Sequence, residues 1–124
     1  MILELDRVKA AFYRFSGEIP DEDDPQRAAL CDSLCKEAHS RGEIILAGGH
    51  ESGKAAAALE SWCAAEAFYQ LTLIDEALTP ENFSADGVTL KFTGRSEKAK
   101  ALRDEKRAAA DSLLGEGAFY FGRA

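Results

Sequence analysis

Residues Glu43–Leu59 read EIILAGGHESGKAAAAL, and the fold turns on how they are taken. An apolar run leads into Gly48-Gly49-His50-Glu51-Ser52-Gly53-Lys54, and an alanine-rich helix follows. That is the strand, G-x-x-x-x-G-K, helix order of a phosphate-binding loop. In such a loop the glycines let backbone N–H groups wrap phosphate, the lysine reaches the outer phosphates, and a following Ser or Thr holds magnesium. Here Ala55 follows Lys54, so the metal ligand is missing. Leu71–Glu76, LTLIDE, has the look of a second, acidic motif, but Leu71 and Ile74 fall on a helical stripe. A nucleotide-binding sheet also needs several parallel strands, and only one clear strand pattern lies downstream. The stretch therefore reads as a glycine-rich connection into a helix, capped by Ser52 or by the loop backbone. Periodicity leaves 43–47 open between a buried strand and a continuation of the preceding helix.

Working outward, the segment from about Gly53 to Leu78 is the clearest element. Leu59, Cys63, Ala67, Leu71, Ile74 and Leu78 form one stripe, and Ala58, Trp62, Ala65, Tyr69, Leu73 and Ala77 form its neighbour. A helix apolar around most of its girth is central, and Thr79-Pro80 stops it. Upstream, Leu30, Leu34 and Ala38, with Cys31 and Cys35 beside them, mark a helix from about Pro25 to Ser40. Asp24 is its expected N-cap, with Pro25 at the first position. The acids Asp21–Asp24 form a loop whose charge suits that helix N-terminus. Leu5, Val8, Phe12 and Phe15 predict a first helix, ended by Ser16-Gly17.

Downstream, Val88–Gly94 reads VTLKFTG and alternates. Val88, Leu90 and Phe92 would face one way, and Thr89, Lys91 and Thr93 the other, which predicts a half-buried strand. Ser96 is expected to cap a last helix, about Glu97–Leu114, with a thin stripe of Ala99, Leu102, Ala109 and Leu113. An aromatic tail, 116–124, carries Phe119, Tyr120 and Phe121. The expected fold is mainly α: one helical domain over 1–124, a bundle of about four helices with a short β-strand or hairpin element between the last two long helices. A lone strand is not stable in water. Val88–Thr93 must pair with Ala118–Phe121 of the same chain or with another subunit, and the sequence leaves both open.

The chain has 124 residues and a net charge of −7, long enough for one self-sufficient core. It lacks the basic face of a nucleic-acid binder, so no sequence-specific nucleic acid is expected. Nor is there an 18-residue apolar run for a membrane span or a signal-peptide start, so a cytoplasmic protein is expected. The charge is uneven: residues 95–124 carry 7 basic and 5 acidic groups, against 8 and 17 in the rest. Such polarity can steer head-to-tail contact between copies, although a solvated helix face accounts for it more simply. Cys31, Cys35 and His39 share a helix face, yet ligands on successive turns lie roughly 6 Å apart per step, too far for one zinc ion. They read as buried small residues and a histidine in a last helical turn. Neither histidine stands in a nucleophile motif, and no metal, cofactor or enzymatic activity is expected.

The order of elements resembles a known family. An acidic loop and a helix precede the central AAAALESWCAAEAFYQLTLI. Then come DGVTLKFTG, the charged SEKAKALRDEKRAAADSLL and the terminal GAFYFGRA. Over roughly 23–124 this is similar to the head–tail connector, or adaptor, proteins of tailed bacteriophages and prophages; EIILAGG, where a polar helix is expected, departs from the pattern. The resemblance implies a non-enzymatic, mainly helical subunit in the cytoplasm of a bacterial host. It would assemble as a homo-oligomeric ring at the portal vertex, in the virion neck, with portal and tail-completion proteins as partners. It also implies that 82–95 is a strand or loop contact element and that Val88, Leu90, Phe92, Phe119, Tyr120 and Phe121 mediate assembly. The alternative is a small cytoplasmic helical binding or regulatory module acting as a dimer.

Overall fold

A computed structural model describes residues 3–19, 24–49, 52–78 and 88–114, with 88–94 as backbone. Four α-helices run through these residues: α1 (Leu5–Ser16), α2 (Pro25–Ala47), α3 (Gly53–Leu78) and α4 (Val88–Leu114). Helix α3 is the axis. The other three each pack against it, and α1 meets α2 less extensively. The sequence explains why. Along α3, Leu59, Cys63, Ala67 and Leu71 are at most 1% exposed, and Trp62, Ala64, Ala65 and Phe68 are buried as well. A helix apolar on so many sides needs partners on all of them. Burying a leucine such as Leu59 or Leu71 contributes about 1.5–3 kcal/mol each.

The helix ends follow local chemistry. Gly17 adopts φ 74° and donates its N–H to the Tyr13 carbonyl at 3.0 Å, closing α1; the left-handed conformation suits a residue without Cβ. The Asp24 carboxylate accepts the Arg27 N–H at 3.0 Å, with Pro25 at the first helical position. Ser52 Oγ accepts the Ala55 N–H at 3.1 Å and caps α3. The phosphate-loop likeness therefore ends as a capped connection between two helices.

Residues 43–47 are the last turns of α2, not a strand. The buried set Cys31, Leu34, Cys35, Ala38, Gly42 and Leu46 keeps three- or four-residue spacing to the end of the helix. Ile44 is 74% exposed while Leu46 is 1% exposed, and a strand would have put them on one face. Gly42 does not stop the helix. A Cβ there would collide with Cys63 Sγ and lie 2.7 Å from Leu3 Cδ1, so glycine lets α2 approach α3 and the N-terminal segment closely.

Two further expectations are corrected. Among the described residues there is no β-strand, and Val88–Gly94 forms the first two turns of α4. A helix satisfies its own backbone groups within the segment, whereas a strand needs a neighbour's edge. Continuity with α4, which packs along α3, outweighs a seven-residue alternation. Ser96 consequently lies inside the helix and is buried, and does not cap it. The buried stripe of α4 runs through Ala99, Ala110 and Leu114, while Ala109 is exposed. The suggested pairing partner Ala118–Phe121 and the tail 116–124 lie outside the described residues, as do His50 and Glu51.

Candidate functional site

Of the four acids of the largely apolar α3, Glu60, Glu66 and Asp75 each bind groups brought by other helices. Glu60, its side chain 8% exposed, accepts the Glu4 N–H at 2.6 Å and lies 3.8 Å from Arg7. Glu4 is the N-cap of α1 and makes no side-chain cap of its own. Glu60 thus caps α1 from across the core, where an anion also suits the helix dipole. Glu66, equally buried, accepts from Arg41 of α2 at 3.2 Å and from Gln70 at 3.0 Å, and lies 3.7 Å from Arg103 of α4.

Asp75 gathers the most elements. Arg27 of α2 grips it with two hydrogen bonds, 2.7 and 3.0 Å, and Arg95 of α4 approaches to 3.5 Å. Arg27 also donates to Glu18, just past α1, at 2.8 Å, and Arg95 donates to the Ser16 carbonyl at 3.3 Å. The bonds to Asp75 and Glu18 raise the Arg27 pKa above its ordinary value. This end of the bundle is therefore tied together by charge-assisted hydrogen bonds.

The α3–α4 seam is made of arginine on aromatic faces. Arg95 stands 5.4 Å from the Phe68 ring centroid, Arg103 4.5 Å from Tyr69, and Arg107 5.4 Å from Trp62, within cation–π range. Three arginines of 95–124 are thus engaged within the chain, while Lys98 and Lys100 are exposed. Sequence reasoning missed this seam, although two signals were present. Glu66 interrupts an apolar helix and needs a cation from elsewhere, and Arg95, Ala99, Arg103 and Arg107 recur every four residues on one face of α4.

The other candidates are occupied by structure. Cys31 and Cys35 are buried, and Cys63 is fully so. Burial pushes the Cys35 and Cys63 thiols up to about 12, which makes them poor nucleophiles. His39 Nε2–H donates to the Leu3 carbonyl at 2.8 Å, and Glu43 accepts the Leu3 N–H at 3.0 Å, so together they pin the chain's entry to α1. Among the described residues no cluster of three or more His, Cys, Asp or Glu is arranged to hold a metal. A cleft between α2 and α3, lined by Glu37, Arg41, Glu66 and Gln70, has a volume of about 30 Å³, room for roughly one water.

Of the expected contact residues, Val88, Leu90 and Phe92 belong to the first turns of α4 and not to a strand. Phe119, Tyr120 and Phe121 lie outside the described residues. Two exposed apolar side chains share the end tied by Asp75: Ile19, 79% exposed, and Leu78, 75% exposed. Asp24 is exposed at this end, and one oxygen of Glu76 is buried without a hydrogen-bond partner. No helix among the described residues is long and apolar enough to cross a membrane.

Comparison with known proteins finds no matching family model, curated protein or solved structure.

Proposed function

We propose that this chain is a structural virion-assembly protein: a head–tail connector or adaptor subunit of a tailed phage or prophage. In this reading it oligomerises at the portal vertex and joins portal to tail-completion proteins. The support is the sequence resemblance over 23–124, now without its strand element, together with a mainly helical bundle packed around α3. The observation that carries the assembly part is the bundle end where Ile19 and Leu78 are exposed beside acidic groups. The pair Ile19 and Leu78 suits a contact surface; Ile44, equally exposed, lies in the last turn of α2. Strand pairing through Val88–Thr93 has no place in the mechanism, because that segment is helical.

Solution mass by light scattering over a concentration series, with negative-stain images of the heaviest fraction, tests the reading. Rings of many subunits, and retention on an immobilised portal protein, are expected. A closed dimer at every concentration with no portal binding would replace this reading with a dimeric binding or regulatory module.

A further inference from the structure

We infer that α4 is a latch. It opens from the bundle as a unit of its own and uncovers the aromatic face of α3, while α1, α2 and α3 stay folded together. Low ionic strength favours the closed state, and salt loosens it.

Packing divides the helices in this way. Helices α1, α2 and α3 pack on one another in every pairing, whereas α4 packs on α3 and, among the described residues, meets the other two at most marginally. Its reach beyond α3 is by single side chains. Arg95 donates to the Ser16 carbonyl at 3.3 Å, Lys106 stands 5.8 Å from the Phe15 ring centroid, and Leu114 lies beside Gly49. The core divides likewise. Val8, Phe12, Leu46, Leu59 and Leu71, each at most 1% exposed, come from α1–α3; from residue 95 onward, α4 brings only Ala99 and Ala110 to that level. Alanines give up little apolar surface on release. A segment with few large buried side chains belongs to the low-stability end of a fold.

The ion pairs divide too. Each acid shared between α2 and α4 lies nearer to its α2 arginine. Glu66 meets Arg41 at 3.2 Å and Arg103 at 3.7 Å. Asp75 meets Arg27 at 2.7 and 3.0 Å and Arg95 at 3.5 Å. When α4 leaves, both acids keep a cation. Opening therefore avoids stranding a buried charge, which is the large cost of breaking such a pair. Arg95, Arg103 and Arg107 are already partly exposed, so they return to water readily, and salt screens their contacts. The apolar core shared by α1–α3 has no such sensitivity. Opening uncovers the rings of Phe68, Tyr69 and Trp62, over which these three arginines stand.

Hydrogen exchange of the full-length chain, read by mass spectrometry on peptides from each helix, tests the latch at about 0.1 M and about 1 M sodium chloride. Amides of 95–114 are expected to share one opening, more frequent than that of α1–α3, and the higher salt to speed their exchange about tenfold relative to α1–α3. Arg103→Ala with Arg107→Ala leaves Glu66 to Arg41. This variant is expected to speed exchange about tenfold in α4 alone. It should also open Trp62, the single tryptophan of the chain, to quenching by acrylamide. One opening common to all four helices, with one response to salt, would overturn the inference. So would α4 exchange that ignores salt, a variant that exchanges like wild type, or a variant in which α1–α3 loosen as much as α4.

Discussion

Arg27 and Asp75 face each other through two hydrogen bonds, 2.7 and 3.0 Å, joining the first turn of α2 to the last turn of α3. Because Arg27 also holds Glu18 and Asp75 also meets Arg95, this pair sets how all four helices meet at one end. The same end carries the proposed contact surface, so the strength of the pair decides whether that surface is presented in one geometry.

Asp75→Ala is therefore expected to destabilise the fold. Removing one partner of a largely buried pair leaves an uncompensated charge. The Arg27 side chain is 30% exposed, so solvent screens part of the loss, and about 2 kcal/mol is expected. Arg27→Met combined with Asp75→Leu should recover most of it. Urea unfolding midpoints decide the matter: a double variant no better than Asp75→Ala would mean that the geometry, not the stranded charge, is what counts.

Gly42 and Gly53 should answer to alanine with opposite signs. At Gly42 a methyl group meets Cys63 Sγ and Leu3, and overpacking of this kind costs about 1–3 kcal/mol, more than the helix-propensity gain. Cys63→Ala in the same chain should remove most of that penalty. At Gly53 nothing lies within 4 Å of the added carbon, so Gly53→Ala should stabilise by about 0.4–1 kcal/mol. Thermal melts of the three variants are enough, and a neutral Gly42→Ala would refute the close α2–α3 approach.

Alkaline pH should weaken the fold through its thiols. In the unfolded chain Cys35 and Cys63 lose their protons near 9.0; in the folded chain they do so only near 12. Between these values the unfolded state binds fewer protons, so stability is full below about pH 9 and falls as pH rises toward 12. Each thiol contributes a slope of up to about 1.4 kcal/mol per pH unit. Comparing slopes between pH 8.5 and 10.5 for wild type and Cys63→Ala isolates one thiol from the other titrating groups. Equal slopes would show that Cys63 is accessible to solvent.

The phosphate-loop likeness yields a sharp contrast. Ser52 caps α3, so Ser52→Ala should cost about 1 kcal/mol. Lys54 is exposed and its replacement by alanine should leave the melting temperature nearly unchanged. Mg-ATP should not raise the melting temperature of wild type, by the usual linkage of binding to stability. A clear rise that is lost in Lys54→Ala would revive nucleotide binding.

What the sequence disclosed and what it hid divide along physical lines. Capping is local, so Asp24, Pro25, Gly17 and the bounds of α3 were readable from side-chain chemistry alone. Gly42 was not, because a mid-helix glycine looks like a stop unless one knows that Cys63 and Leu3 crowd it. The arginine–aromatic seam was hidden for the same reason: Arg103 reads as a solvated charge until α3 supplies Tyr69 and Glu66. Of the candidate contact residues, Val88, Leu90 and Phe92 were legible only as an alternation. That pattern does not record whether the backbone continues into a long helix that already has a partner.

The helical start of α4 is itself testable. In a helix, Thr89→Ala with Thr93→Ala replaces two β-branched residues by the best helix former and should gain about 1 kcal/mol together. In a strand the same changes remove residues that favour pleated structure and should lose stability. Thermal unfolding gives the sign, and carbon chemical shifts of residues 88–94 give the conformation directly. A stabilised variant with helical shifts would place the first turns of α4 in the long helix that packs on α3. A destabilised variant with extended shifts would restore the strand, and with it the question of which edge it pairs to.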